Sequence, residues 1–297
     1  MSAVNEGRLP ASEPAVKRGL AGPSRRPFFL RSIFGTFVSA LLVVLLPVLV
    51  VQAALYYEHY RAQFEDEIQD NLEVARAVSA AFDAFVGDIL HQELAIGLAL
   101  TFPERLSAAQ ASRLLALNAD SYGAVGAFAW LDPQGGVVAA NRSHLIGHHA
   151  GDLDAVRAVV AGRDWAVSDL LPGWAMEAPT LVVARAVRDD QGGLLGVVVA
   201  TVDPARLGAI LPIERAKGGA VAIHDSRGRL VYRYPELDLS WEERDALAGL
   251  AGLERALAGE EAVGAYYSPL SRDRRAGGFA PIRSIGWAVR ASRPEAD

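Results

Sequence analysis

Residues 126–141 read GAFAWLDPQGGVVAAN: an apolar strand, an Asp-x-x-Gly turn and a second apolar strand. Residues 220–234, AVAIHDSRGRLVYRY, repeat that order, with Asp132 and Asp225 in matching places. An aspartate opens such a turn by accepting bonds from backbone N–H groups, and glycine supplies the positive φ that the turn requires. The two stretches therefore predict two β-hairpins and an internal repeat.

Each hairpin is followed by a helical or loop stretch and then by three strands. The predicted strands are 165–170, 180–187 and 195–202 in the first copy, and 262–268, 274–281 and 286–292 in the second. Turns are expected at Asp189–Gly193 and at Arg272–Gly278, and residues 203–207 start a short linking helix. The fold class predicted is α+β, with two tandem modules built on antiparallel sheets, 119–211 and 212–297.

A long helix is predicted before the first hairpin, within a segment bounded by residues 58 and 118. Apolar or small residues recur there at steps of three or four: Phe64, Ile68, Leu72, Ala75, Ser79, Phe82, Val86 and Ile89. Thr101-Phe102-Pro103 ends this helix, and Ser107 caps a second one over 108–119, whose apolar positions are Leu114, Leu115 and Leu117. The stripe packs either on its own modules or on a copy in a homodimer, with dimer contact expected near 56–68.

Residues 32–57, SIFGTFVSALLVVLLPVLVVQAALYY, carry no charge and are long enough to cross a bilayer as a helix. Arginine and lysine predominate before this span and acids after it, so residues 1–31 are predicted to be a disordered cytoplasmic tail and residues 58–297 to lie outside the plasma membrane. A cleaved signal peptide, cut near Ala53, is the alternative. A secretory core is usually about 7–15 residues, which favours the uncleaved anchor.

Composition excludes several classes of function. A net charge of −6 and a pI of about 5.6 argue against a nucleic-acid partner, and the absence of cysteine excludes disulfides. The sequence has no nucleophile elbow, phosphate loop or zinc-protease motif, so no enzyme activity and no cofactor are predicted for these residues. His144, His148 and His149 are interpreted as a solvated loop, and no metal site is predicted.

A single anchor, a long helix and two tandem PAS-like modules resemble the double Cache sensor domains of bacterial receptors. The stretches most similar to that family are Leu145-Ile146-Gly147, Val167-Ser168-Asp169, residues 180–187, residues 191–203 and Gly286-Trp287-Ala288-Val289. The resemblance implies binding of a small extracytoplasmic molecule, usually in the module far from the membrane. It also implies output to a histidine kinase, a chemoreceptor signalling hairpin or a cyclic-dinucleotide enzyme, and a dimer.

Two features depart from the family pattern. A second membrane span normally follows the second module, whereas this sequence stops at Asp297, so a fragment of a longer receptor is expected. The Arg-x-Trp-Tyr group of the amino-acid-binding members is missing, since Asp152-Leu153-Asp154-Ala155-Val156 stands in its place. Amino-acid specificity is therefore not predicted. A membrane-anchored binding protein without signalling output is the alternative function.

Seven residues of the first module are the predicted ligand site. The pocket walls are Trp130, Trp165, Trp174 and Met176. Arg185, which lies between two alanines in a strand, is predicted to clamp a carboxylate, the alternative being an arginine on a wet face of the sheet. Asp169 and Asp203 are predicted to accept a cationic group, although an N-cap is the commoner role for an aspartate before proline.

Overall fold

The structure is a computed structural model, and it describes residues 28–102, 106–211 and 219–295. The chain divides into two units, residues 1–59 and residues 60–297. The described residues of the first unit contain one candidate membrane span, Gly35–His59, with a mean hydropathy of 2.6 and no buried residue. This segment overlaps the span predicted over residues 32–57. Most of the predicted tail, residues 1–27, lies outside the described residues.

Helix α1 (Phe28–Thr101) ends at the predicted break. In the second unit its apolar stripe is confirmed, because every predicted position from Ile68 to Ile89 is buried. The side chain of Phe64 lies outside the described residues. Pro47 is inside this helix, within the candidate span.

Helix α2 (Ala108–Ala119) begins at the predicted N-cap. Ser107 and Gln110 form a capping box, in which each side chain bonds the backbone N–H of the other residue. Leu115 is fully buried, but the expectation for Leu117 is wrong, since that side chain is 67% exposed. Residues two positions apart point to different sides of a helix, so Leu117 cannot share the face of Leu115.

The first sheet is five-stranded and antiparallel. Its strands are β1 (Val125–Leu131), β2 (Val137–Ala140), β3 (Trp165–Val167), β4 (Leu181–Arg188) and β5 (Leu194–Val202). Their order across the sheet is β2-β1-β5-β4-β3, and helix α3 (Asp154–Val160) precedes β3. We refer to this sheet with α3 as the first module.

The second sheet repeats that topology, as the sequence repeat predicts. Its strands are β6 (Ala220–His224), β7 (Leu230–Tyr234), β8 (Ala262–Ser268), β9 (Asp273–Ile282) and β10 (Trp287–Pro294). Their order is β7-β6-β10-β9-β8, and helix α4 (Ala251–Leu257) precedes β8. We refer to this sheet with α4 as the second module.

The two predicted hairpin turns are confirmed. Asp132 accepts bonds from two backbone N–H groups of its turn, at 3.0 and 2.8 Å. Asp225 does the same at 3.0 and 2.9 Å. Gly135 and Gly228 supply the positive φ, 90° and 80°.

The turn predicted at Arg272–Gly278 is wrong, because residues 273–278 belong to β9. The chain turns just before β9, and Arg272 itself has a φ of 57°. Gly278 is required for a packing reason instead. A Cβ at Gly278 would lie 2.3 Å from the backbone nitrogen of Leu72 in α1, so the helix and the strand approach too closely for a side chain.

One face of each sheet packs on α1, and we call it the inner face. The second sheet packs on the earlier part of the helix, where the Asn71 side chain donates to Ala276 O at 3.0 Å and Ser79 donates to Pro281 O at 2.8 Å. The first sheet packs on the later part, around Gly97, where an added Cβ would meet a methyl of Val187. The opposite, outer faces pack against α3 in the first module and α4 in the second.

Candidate functional site

The outer face of the first sheet is filled with small apolar side chains. Its buried members include Ala127, Ala129, Ala140, Val182, Ala184, Val197 and Val199. Val156 and Val159 of α3, both fully buried, pack on this layer. No charged side chain is buried on this face among the described residues.

Two of the seven predicted site residues are associated with this outer face. Trp174 packs against its apolar cluster. Met176 lies over Gly126, where an added Cβ would be 2.3 Å from the methionine sulfur. Both residues belong to the loop that precedes β4.

Three other predicted residues lie on the inner face. Trp130 is 6% exposed and packs in the cluster that includes α1, and Trp165 packs against the same cluster. Arg185 faces this side as well, because its neighbours Ala184 and Ala186 belong to the outer face. Its half-buried side chain keeps a buried Nε without a hydrogen-bond partner among the described residues.

Glu93 of α1 is the ionisable group that interacts electrostatically with Arg185. It is fully buried, and neither carboxylate oxygen makes a hydrogen bond of good geometry in the described part of the chain, although the Ala200 amide is near enough to act on it. Burial raises the pKa of Glu93 well above its usual range, against smaller lowering effects of the Ala200 amide and the Arg185 charge. A buried carboxyl group in such surroundings favours its neutral form.

Asp169 joins the two modules. It accepts hydrogen bonds from the backbone N–H and the hydroxyl of Ser226, at 3.1 and 2.7 Å, and pairs with Arg227 at 3.2 Å. The next N–H, that of Leu170, donates to Asp225 at 3.2 Å. Burial and the charge of Asp169 raise the pKa of Asp225. The predicted Asp169 is thus held by the turn of the second hairpin.

Asp203 caps the 3-10 helix Pro204–Ala209 and accepts a bond from Ala205 N at 3.0 Å. It also lines a cleft of about 340 Å³ that runs along the edge strand β7 and is shared by the two modules. Arg233 and Arg244 line the same cleft. The seven predicted residues are therefore distributed over the inner face, the outer face and the contacts between modules, and they do not meet in one pocket.

The outer face of the second sheet differs sharply in composition. Its buried polar members include His224, Tyr266, Ser268, Arg275, Arg290 and Ser292. Arg275 donates to Ser292 Oγ at 3.1 Å and to Asp273 at 2.8 Å. Arg290 donates through Nη1 to the Tyr266 hydroxyl and to Ser292 Oγ, while its Nε has no partner among the described residues.

Burial and nearby positive charge shift the pKa values of two residues in this region. Burial and then the charge of Arg290 lower the pKa of His224 to about 3, so this imidazole is neutral. Its Nδ1 lies 3.0 Å from Gly228 O, which makes Nδ1 the protonated nitrogen. Burial, Arg290 and Arg275 together lower the pKa of Arg233.

These residues of the second sheet were missed in the sequence because they resemble core positions. Arg290 stands between Val289 and Ala291 as Arg185 stands between two alanines. The signal available was a mid-strand arginine followed two residues later by Ser292, since such residues share one face of a strand. No group of three or more His, Asp or Glu side chains is arranged to hold a metal ion in residues 28–102, 106–211 and 219–295.

Solved structures of sensory domains match this chain. The extracellular domain of a protein assigned as a histidine kinase, rpHK1S-Z16, matches with a TM-score of 0.60 at 18% identity, over 78% of this chain and 95% of that one. A structure described as methyl-accepting chemotaxis protein X gives 0.61 at 15%, over 79% and 99%. The ligand-binding domain of Pseudomonas fluorescens chemoreceptor CtaA, solved with L-serine, gives 0.59 at 15%, over 78% and 98%.

The chain has the fold of these extracellular sensory domains. At identities of 15–18% the likeness establishes the shared fold, and it confirms the predicted tandem PAS-like architecture. Neither the protein-family models nor the curated proteins gave a match to this sequence.

Proposed function

We propose that this chain is the extracytoplasmic ligand-sensing region of a bacterial membrane receptor. The observation that carries the proposal is the match of 78–79% of this chain to structures from a histidine kinase and from chemotaxis receptors, over 95–99% of their length. The proposed role is binding of a small molecule, with no catalysis in these residues. Output through a histidine kinase, a chemoreceptor hairpin or a cyclic-dinucleotide enzyme is part of the proposal for the full receptor.

The proposed topology is a plasma-membrane anchor with a cytoplasmic N-terminus and residues 58–297 outside. The apolar segment Gly35–His59 and the basic residues before it support this orientation. We take 119–211 as the membrane-distal module and 212–297 as the membrane-proximal one. This assignment is supported by the packing of the second sheet on the part of α1 nearer in sequence to the candidate span, around Asn71 and Ser79.

The proposed signal is a shift between two arrangements of the modules in a homodimer. The Asp169 contacts support a coupled movement, since they tie the strand end of the first module to the Ser226 turn of the second. Trp174 and Met176 remain the proposed walls of a pocket on the outer face of the first module. Nothing in this role requires a metal or a cofactor.

The function is tested by a ligand screen and a chimera. Thermal unfolding of the full chain in detergent is followed with amino acids, organic acids and amines, and a ligand is expected to raise the melting temperature. The chain is then joined to the cytoplasmic part of a chemoreceptor, and the same compound is expected to change signalling output in cells. Binding without output from any chimera would favour the alternative, an anchored binding protein.

A further inference from the structure

The strand register shows which positions of the two sheets are equivalent. In the first sheet Ala129 lies opposite Val199 of β5, and in the second Ala222 lies opposite Arg290 of β10. Ala129 and Ala222 occupy equivalent positions, because each lies three residues before the aspartate of its hairpin turn. Their partners Val199 and Arg290 are therefore equivalent as well, and each belongs to an outer face. The apolar position of the first module is occupied in the second by a guanidinium that is only 2% exposed.

Two further positions on the outer faces follow the same register. Ala129 also lies opposite Ala140 of β2, and Ala222 lies opposite Arg233 of β7, which makes Ala140 and Arg233 equivalent. The residue before each turn aspartate is Leu131 in the first module and His224 in the second. The second module has thus replaced apolar core positions with polar or charged ones.

Ala222 of β6 lies between Arg233 on β7 and Arg290 on β10, the two strands that flank β6. Neighbouring strands are about 4.8 Å apart, so the two backbones are about 10 Å apart, with only a methyl group between them. Two long guanidinium side chains can both reach the space above that methyl, and Arg233 also donates from Nη1 to Pro235 O. Burial first, and then the charges of Arg290 and Arg275, lower the pKa of Arg233, while Tyr266 and Asp273 raise it.

Among the described residues, Arg233, Arg275 and Arg290 share one carboxylate, that of Asp273, which pairs with Arg275 and acts on Arg233 from a longer distance. Arg275 is paired with Asp273, but no described carboxylate lies within 4.0 Å of Arg233 or Arg290. Arg290 has five N–H donors, and its hydrogen-bond partners among the described residues are two neutral hydroxyls, those of Tyr266 and Ser292. A buried charge without a counter-charge is strongly unfavourable, so this arrangement calls for an anion.

We propose that the outer face of the second sheet binds a small organic anion, with its carboxylate between Arg290 and Arg233. The planar guanidinium fork matches a carboxylate, and the Tyr266 hydroxyl can donate to the same group. The walls are apolar: Ala222, Ala288 and the ring of Phe279. They suit the carbon skeleton of an organic acid better than the remaining oxygens of a phosphate.

A glycine on this face leaves room for the aromatic ring of Tyr266 beside the arginines. Gly277 lies opposite Ser292 on this face, and a Cβ there would be 2.9 Å from the Tyr266 ring. The Arg290 guanidinium lies 5.4 Å from the centre of that ring. Arg233, half-buried at the sheet edge, also lines the 340 Å³ cleft along β7, which provides an approach from solvent.

The test measures anion binding by the full chain in detergent with three probes: sodium acetate, succinate and inorganic phosphate. Acetate or succinate is expected to raise the melting temperature in a saturable way. Arg290→Val, which copies the residue of the first module, and Arg233→Ala are each expected to weaken binding about 10- to 100-fold, since a hydrogen bond to a charged group is lost. Arg274→Gln removes an exposed charge of the same strand as Arg275 and is expected to leave affinity unchanged.

A second readout separates binding from a structural role. Without an anion, Arg290→Val is expected to unfold at a higher temperature than the wild type, because an unbalanced buried charge is removed. No saturable shift with acetate or succinate would overturn the proposal, as would unchanged affinity in both variants. Binding of phosphate alone would overturn the carboxylate assignment. If Arg290→Val does not fold, Arg233→Ala decides the question.

The anion site depends on the proposed function only for its role as an input signal. Acetate or succinate binding without a response in the chimera would contradict sensing through this site and leave the site itself in place. A chimera response to another compound, with no anion binding, would support the sensing function and overturn the site.

Discussion

The two sheets share one topology, yet their ionisable side chains lie on opposite faces. In the first module these are the fully buried Glu93 and the half-buried Arg185, on the inner face between helix and sheet. In the second they are Arg275 and Arg290, on the outer face away from the helix. The two copies of the repeat share the framework of strands and turns, while each places its polar side chains in a different layer.

The difference also bears on where a ligand can bind. The outer layer of the first module consists of alanine and valine side chains that pack against fully buried residues of α3. The outer layer of the second module contains a guanidinium whose Nε has no partner among the described residues, and Arg233 at its edge also lines the 340 Å³ cleft. Resemblance to the sensor family favours the membrane-distal module as the ligand site, whereas these contacts favour an anion in the other one.

The largest effect is expected where the second sheet meets the helix. Gly278→Ala places a Cβ about 2.3 Å from the Leu72 backbone, which cannot move without displacing α1. We expect a loss of about 3 kcal/mol or more in unfolding free energy, at the upper end for overpacking. Gly97→Ala in the first module meets a Val187 methyl instead, so we expect a smaller loss there.

Thermal and chemical unfolding of the full chain in detergent measures both changes. Gly264→Ala is the control, because a Cβ at this position of β8 meets nothing within 4 Å. If Gly278→Ala were no more harmful than Gly264→Ala, the close approach of β9 to the helix would be incorrect.

The next effect is a pH dependence that only the second module should carry. His224 has a pKa of about 3 in the folded state, below its ordinary value of about 6.5. Below pH 6.5 the unfolded chain therefore binds a proton at His224, whereas the folded chain does so only when the pH approaches 3. The stability contribution of neutral His224 is complete above pH 6.5 and is lost as the pH falls toward 3, at about 1.4 kcal/mol per pH unit.

His224→Leu copies Leu131 of the first module and is expected to flatten this part of the stability curve. Unfolding free energies measured at pH 7 and pH 4.5 give the comparison. The exposed His91 is the control, and His91→Gln should retain the steep loss of the wild type. An equally steep loss in His224→Leu would assign the acid sensitivity to other groups.

The smallest effect concerns the charged inner face of the first module. Because the pKa of Glu93 is raised, the stability from its neutral form is complete below the unfolded pKa of about 4.5 and is lost as the pH rises through the folded value. Glu93→Gln has a similar shape and cannot ionise, so we expect it to gain about 1 kcal/mol at pH 8 and less at pH 5. Glu73→Gln, at an exposed site of the same helix, should change little.

Urea unfolding at the two pH values checks this prediction. A variant less stable than the wild type at pH 8 would mean that Glu93 is ionised and held by Arg185. The inner face of the first module would then contain an ion pair between Glu93 and Arg185. The two modules would differ in the partners of their buried charges, and not in whether those groups are charged.

Local patterns allowed much of the fold to be predicted. The three- and four-residue spacing located the buried stripe of α1, and the Asp-x-x-Gly turns located both hairpins. The prediction failed at Leu117, where a short helix offers few turns to define its buried side, and at Gly278, where a glycine serves helix packing and not a turn. The Gly278 error depends on a neighbour distant in sequence, Leu72 of α1.

The ligand site was harder to predict than the fold, because its residues were selected by side-chain type. Trp130 and Arg185 point to the helix side, and Asp169 is bound by Ser226 of the other module. These contacts join segments tens of residues apart. The sequence of a single strand does not indicate such contacts.

Local sequence is sufficient to predict the candidate span, the long helix, the two hairpins and their repetition, because periodicity and turn chemistry are local properties. What each mid-strand arginine faces depends instead on how the helix and the sheets pack together. A strand buried on both faces loses its apolar-polar alternation, so Arg185 and Arg290 occur in similar surroundings along the chain. The docking of α1 on one side of each sheet made Arg185 part of the helix interface and directed Arg290 to the proposed anion site.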